Sequence, residues 1–204
     1  GPFISRQLIQ KLVTSNPSPG YVQRVAEKFN NDGSGVRGNL AAVIRAILLD
    51  SEARNAPSLA TSGRTKEPLL RLTQFWRAYD AKAASGKYQG GTIGGPSATF
   101  DQGPLLANSV FNFFSPFYAA PGEIANQNLV SPELQLSTEY LHTLVSNFFW
   151  TQAINRTTAQ ATLRVDDVFI DTLAETALAA DSEALVNKVA DKLLAGQISA
   201  DLKA

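Results

Sequence analysis

The chain has 204 residues, 44% of them hydrophobic and 18% charged, enough to bury a sizeable core and too apolar for a disordered chain. Lysine plus arginine equals aspartate plus glutamate at 18 each and the basic residues are scattered, so no patch is expected to neutralise nucleic-acid phosphates. Cysteine is absent and His142 is the only histidine, which excludes disulfides, thiolate chemistry and any site within the chain that needs two histidines.

Phe3, Ile4, Leu8, Ile9, Leu12 and Val13 recur at helical spacing and predict a helix that Asn16-Pro17-Ser18-Pro19 stops. Tyr21, Val22, Val25, Ala26 and Phe29 form a second stripe, ending in Asn30-Asn31-Asp32-Gly33-Ser34-Gly35. A third helix is expected from about Asn39 to Ala53, with Leu40, Val43, Ile44, Ile47 and Leu48 inward. Residues 1–55 thus read as a three-helix unit, and 66–204 as the main helical core. There, Glu67-Pro68 opens a helix whose Leu69, Leu72, Phe75, Trp76 and Tyr79 line one face through about Ala84. A glycine-rich stretch, Ser85 to Leu105, fills a loop running to residue 107, and loops of this length are usually functional or mobile. The aromatic segment Val110 to Tyr118 reads as one or two turns of helix.

Ser131-Pro132-Glu133 has the order of an N-cap, a proline at the first helical position and an acid favoured by the helix dipole. The helix it opens, to Ala153, is the most apolar of the chain and is expected at the centre of the core. Asp166-Asp167 is expected to start a helix through about Ala179, and Asp181-Ser182-Glu183 another ending at Gly196. No segment shows sustained period-two alternation, and no apolar run approaches the ~20 residues of a membrane helix. The expected fold is therefore all-α: one irregular domain of seven to nine helices around the helix from Ser131, with a long glycine-rich loop. The start Gly1-Pro2-Phe3 carries neither an initiator methionine nor a leader pattern, so a fragment of a longer chain is expected.

Two blocks carry a family resemblance. The first is Phe3-Ile-Ser-Arg-Gln-Leu-Ile-Gln-Lys-Leu-Val-Thr-Ser-Asn-Pro-Ser-Pro19, continuing through Gly33-Ser-Gly-Val-Arg-Gly38 to Ile47-Leu-Leu-Asp-Ser-Glu-Ala-Arg54. The second is Ser109-Val-Phe-Asn-Phe-Phe-Ser-Pro116, followed by Pro132-Glu-Leu-Gln135. Both resemble the bacterial domain-of-unknown-function 1800 family, over nearly the whole chain. The resemblance implies a periplasmic or extracellular protein, longer at both ends, often encoded beside a second secreted protein; it implies no activity.

Asn30, Asp32 and Ser34 sit at positions one, three and five of a calcium-type loop with Gly35 at six, but position twelve is Ala41, where a bidentate acid is needed. An Asx-type turn is the competing reading, and no metal site is expected. Asp50 and Glu52 are expected to pair with Arg6, Arg37 or Arg45, pinning helices together; the functional alternative is an arginine-lined pocket, with Arg37 and Arg54 as candidates for an acidic ligand. His142, near Glu139 on the presumed core helix and without a Gly-x-Ser-x-Gly elbow, reads as a partly buried histidine before a catalytic one. Asp101, Glu123, Glu133 and Glu139 flank the aromatic segment and the loop, and a glycosidase needs only two acids across a cleft. Glu133 is better explained as a helix-start residue, and Asp101 as a loop residue. Phe111, Phe113 and Phe114, with Phe117 and Tyr118, form either a plug that anchors a loop or an exposed binding patch, and a buried Asn112 among them would need a hydrogen-bond partner. Asn155-Arg156-Thr157 matches a glycosylation pattern too short to carry weight.

These residues point to a non-catalytic structural or binding module without a cofactor. The alternative is a hydrolase of a polysaccharide or other extracellular polymer acting through paired carboxylates. The expected partners are a co-encoded secreted protein, a carbohydrate, or the rest of a longer chain, with neither nucleic acid nor a membrane span.

Overall fold

A computed structural model describes residues 1–55, 62–88, 99–103, 105–155 and 165–203. Among these residues the regular structure is helical, with two isolated bridges, Lys82 to Phe169 and Ser109 to Asn112, and no named strand. Among the described residues no helix is long and apolar enough to cross a membrane. The chain divides into two compact units, the first built from residues 1–66 and 108–138 and the second from 67–107 and 139–204.

The first unit opens with α1 (Pro2–Leu12), α2 (Pro19–Asn30), α3 (Leu40–Leu49) and α4 (Ser51–Arg54). Ser18 caps α2 by accepting the Tyr21 N–H, and Pro19 fills the first turn, where its missing N–H costs nothing. Ile9, Tyr21, Val25, Val43 and Ile47, one stripe from each of the three long helices, close the core. Tyr21 is the anchor, fully buried, with its hydroxyl donating to the Ile47 carbonyl at 2.6 Å near the end of α3. Burying a tyrosine this way keeps its aromatic area out of water without leaving the hydroxyl unpaired.

Two expectations about α3 are corrected. The helix stops at Asp50, whose extended backbone (ψ 145°) lets its carboxylate cap the next turn by accepting the Glu52 N–H. Leu40, Ile44 and Leu48 lie exposed, because the stripe one step round, Val43 and Ile47, is the one that meets α1 and α2. The unit is completed by α6 (Glu123–Asn126) and a 3-10 turn, Pro132–Leu136.

The second unit contains α5 (Pro68–Ala78), α7 (Glu139–Asn155), α8 (Leu173–Thr176), α9 (Ser182–Leu194) and α10 (Ala200–Lys203). Leu72, Phe100 and Val145 form one core cluster with Phe148 and Phe149 against it; Tyr79, Ala81, Val168 and Ile170 form another. Phe100 and Gln102 come from the far end of the glycine-rich loop, of which residues 89–98 and 104 lie outside the described residues. Gln102 is buried and caps α5 from a distance: its carbonyl accepts the Leu69 N–H at 3.0 Å and its amide donates to Glu67 at 2.9 Å.

Four more sequence expectations are corrected. The helix from Pro68 ends at Ala78, short of Ala84, and the chain turns through Asp80 in the left-handed region. The helix expected from Ser131 to Ala153 breaks at 137–138, its first part a 3-10 turn of the first unit and its second part α7 of the second. Nor is α7 wrapped by core: its apolar residues are spread around the helix and not gathered on one face, so burying Val145 leaves Tyr140, Trp150 and Ile154 exposed. The helix expected from Asp166 begins only at Leu173, because Val168 and Ile170 point into the core with Phe169 between them, and Phe169 exchanges two backbone hydrogen bonds with Lys82. Beta-branched residues on alternate positions favour that extended pairing over a helix.

Candidate functional site

The segment from Asn108 to Pro116 folds as turns, not the expected helix. Asn112 adopts a left-handed backbone (φ 76°), its N–H donates to the Ser109 carbonyl, and the Ser109 hydroxyl accepts the Phe111 N–H. Asparagine tolerates this conformation better than other non-glycine residues, so its place among phenylalanines is explained by backbone geometry. The tight turn sends neighbouring rings in different directions. Phe114 goes in, only 4% exposed, beneath the Lys11 ammonium at 3.8 Å from its ring centroid. Phe111 stays at the surface, edge-on to Phe3.

Polar ties fix the segment and the chain that follows it within the first unit. The Gln10 amide, buried, donates to both the Ser15 and Pro116 carbonyls, and Asn16 exchanges two hydrogen bonds with the Val130 backbone. Ser115 donates its N–H to Gln135. Glu133, 2% exposed, pairs directly with Arg64 at 3.4 Å, and with Gln7, Gln10 and Lys11 it lines a cavity of only about 10 Å³. That space is too small for a substrate.

Beside this anchored segment lies an open groove of about 840 Å³ in the first unit. One wall is α2, where Pro19, Val22, Gln23, Ala26, Glu27 and Asn30 follow each other at three- and four-residue steps over three turns. The opposite wall is Phe3 and Arg6 of α1, with Phe117 beyond them; Phe3 and Phe117 are each more than half exposed. The Arg6 guanidinium stands 5.5 Å from the Phe117 ring centroid, its Nε enclosed without a hydrogen-bond partner among the described residues. Within the groove Glu27 accepts the Gln23 amide at 3.1 Å. The arrangement offers apolar area, one cation and no facing carboxylate pair, which suits holding a ligand better than cleaving one.

The expected site residues are dispersed. Asp101, Glu139 and His142 are exposed in the second unit, and Glu123 is exposed on α6, where it accepts the Gln127 amide. His142 is thus not the partly buried histidine expected, since α7 turns that face to solvent. Asp50 and Glu52 do not pair with Arg6, Arg37 or Arg45. Their partner is Arg24 of α2, which grips Asp50 with two bonds of 2.7 Å and holds its carboxyl below the usual carboxylate range, while Glu52 accepts the Ser18 N–H. Arg37 lies over Phe29, and Arg54 is exposed at the end of α4. In the calcium-like loop Asp32 accepts the Ser34 and Val36 N–H groups and the Asn39 amide, and these donors hold its carboxyl well below the usual range. That is an Asx-type turn; among the described residues no three acids or histidines gather as a metal would need.

A model of the family described as Protein of unknown function (DUF1800) matches residues 1–204. The chain belongs to that family. No curated protein matches it, and no solved structure does. Family membership therefore assigns no chemistry, and the geometry must carry the functional reading. Sequence reasoning missed the groove because Phe3 and Val22 read as core residues and Arg6 as a partner for Asp50 or Glu52. One signal was present: α1 holds two cations and no acid, so Arg6 has nothing within its own helix to pair with.

Proposed function

We propose that this domain is a non-catalytic binding module whose ligand lies in the groove between α1 and α2. The observation that carries the reading is an open, apolar, preformed groove in which Phe3 and Phe117 stand more than half exposed. The candidate acids give the hydrolase reading no comparable support, since Glu133 is enclosed with Arg64 and Glu123, Asp101 and Glu139 do not line the groove. Its setting is proposed as periplasmic or extracellular, from the two blocks that resemble an exported family. Fractionation of cells making the native full-length protein checks that part.

Panning a random twelve-residue peptide library against the intact chain tests the binding reading. Gln23 is exposed at the groove edge, so Gln23→Trp fills the groove without disturbing the core. Enriched peptides are expected to lose about ten-fold or more in affinity for that variant. Peptides that bind Gln23→Trp unchanged, or release of new reducing ends from cellohexaose or chitohexaose, would sink the proposal.

A further inference from the structure

We infer that the groove takes a linear peptide segment bearing an acidic side chain, and that Arg6 receives its carboxylate. The inference rests on the binding reading above and adds the class of ligand.

Shape gives the first argument. The α2 residues that line the groove run from Pro19 to Asn30, and at 1.5 Å per residue this wall is about 16 Å long. That length matches about five residues of extended chain at 3.3 Å each. A compact ligand would contact only part of such a wall, whereas a peptide lying along it meets Pro19, Val22 and Ala26 in turn.

Charge gives the second. Arg6 is half-buried, and among the described residues its guanidinium makes neither an ion pair nor a hydrogen bond; it lies over the Phe117 ring. The acid that shares the groove, Glu27, is engaged by Gln23. A guanidinium partly stripped of water and held against an aromatic face is a seat for a planar anion, which a carboxylate side chain fills with two parallel hydrogen bonds. The exposed rings of Phe3 and Phe117, which line the groove with Arg6, favour an aromatic or large aliphatic residue next to the acid.

The test uses peptides that bind the intact chain and are displaced by Gln23→Trp. They are expected to contain Asp or Glu beside a bulky apolar residue. Converting that acid to its amide, or making Arg6→Gln, is expected to weaken binding about ten-fold, and the two changes together little more than either alone. Arg6→Lys should keep part of the affinity, and Arg6→Glu should shift preference towards peptides with lysine in place of the acid. If Arg6→Gln folds poorly, the amide peptide against the unaltered protein decides. Groove-binding peptides indifferent both to their own acid and to Arg6 overturn this inference and leave the binding reading standing. Peptides indifferent to Gln23→Trp overturn both.

Discussion

Tyr21 concentrates in one side chain much of what holds the first unit together. Burial, reinforced by the negative charges of Asp50 and Glu52, pushes its phenol up to about 12 from 10.0. The proton is bound more tightly in the folded state, so the contribution is complete below the unfolded value and is lost as pH rises from about 10 through about 12. Alkaline unfolding should therefore set in across that window, and Tyr21→Phe should flatten it. The same variant leaves the buried Ile47 carbonyl without its donor and should cost about 1–2 kcal/mol in urea unfolding. Asp50 separates two roles. Asp50→Ala removes the cap of α4 along with the Arg24 pair and should destabilise by about 1 kcal/mol, whereas Asp50→Asn keeps a capping oxygen and should cost less. With Asp50 depressed by Arg24, its contribution is present above the ordinary aspartate range and fades as pH falls below it. That Asp50 pairs with an arginine was legible in the sequence; that the arginine is Arg24 was not, because the partner sits 26 residues back on a neighbouring helix.

At the level of elements, the structure depends on side chains reaching across loops to finish helices and turns. Gln102 caps α5 from 33 residues away, a role no local pattern announces. Gln102→Ala should loosen the first turn of α5 and cost about 1–2 kcal/mol, seen as faster amide exchange at Leu69 to Arg71. The 3-10 turn from Pro132 is held by Glu133, whose carboxylate is sealed beside Arg64. Arg64→Met would strand that carboxylate away from water and should destabilise by about 3 kcal/mol, more than Glu133→Gln, which leaves no buried anion behind. Thermal unfolding of the two variants gives the order. The motif Ser131-Pro132-Glu133 did announce a helical start, but five residues later the backbone leaves it, since the following segment belongs to another compact unit.

At the level of the whole molecule, the chain passes between its two units three times, at 66–67, 107–108 and 138–139. Neither unit is a contiguous stretch of sequence. Residues 1–66 made alone would lack Pro116, Val130 and Glu133, the partners of Gln10, Asn16 and Arg64. They should give poorly dispersed NMR spectra, while residues 1–66 joined by a short linker to 108–138 should recover native dispersion. A folded 1–66 fragment would show that the aromatic segment is an accessory to that unit instead of a part of it.

By itself the sequence determined the helical class, the places of the first three helices, and the exclusion of thiol and multi-histidine chemistry. These follow from residue type and local spacing, which act over a few turns. Tertiary structure decided which apolar stripe each helix buries, that Phe114 enters the core while Phe117 stays out, and that Arg6 stands in a groove apart from Asp50. The physical reason is that burial and pairing are settled by what arrives from distant parts of the chain. Periodicity names a face able to be buried, and only packing says which face is covered and which is left open to a ligand.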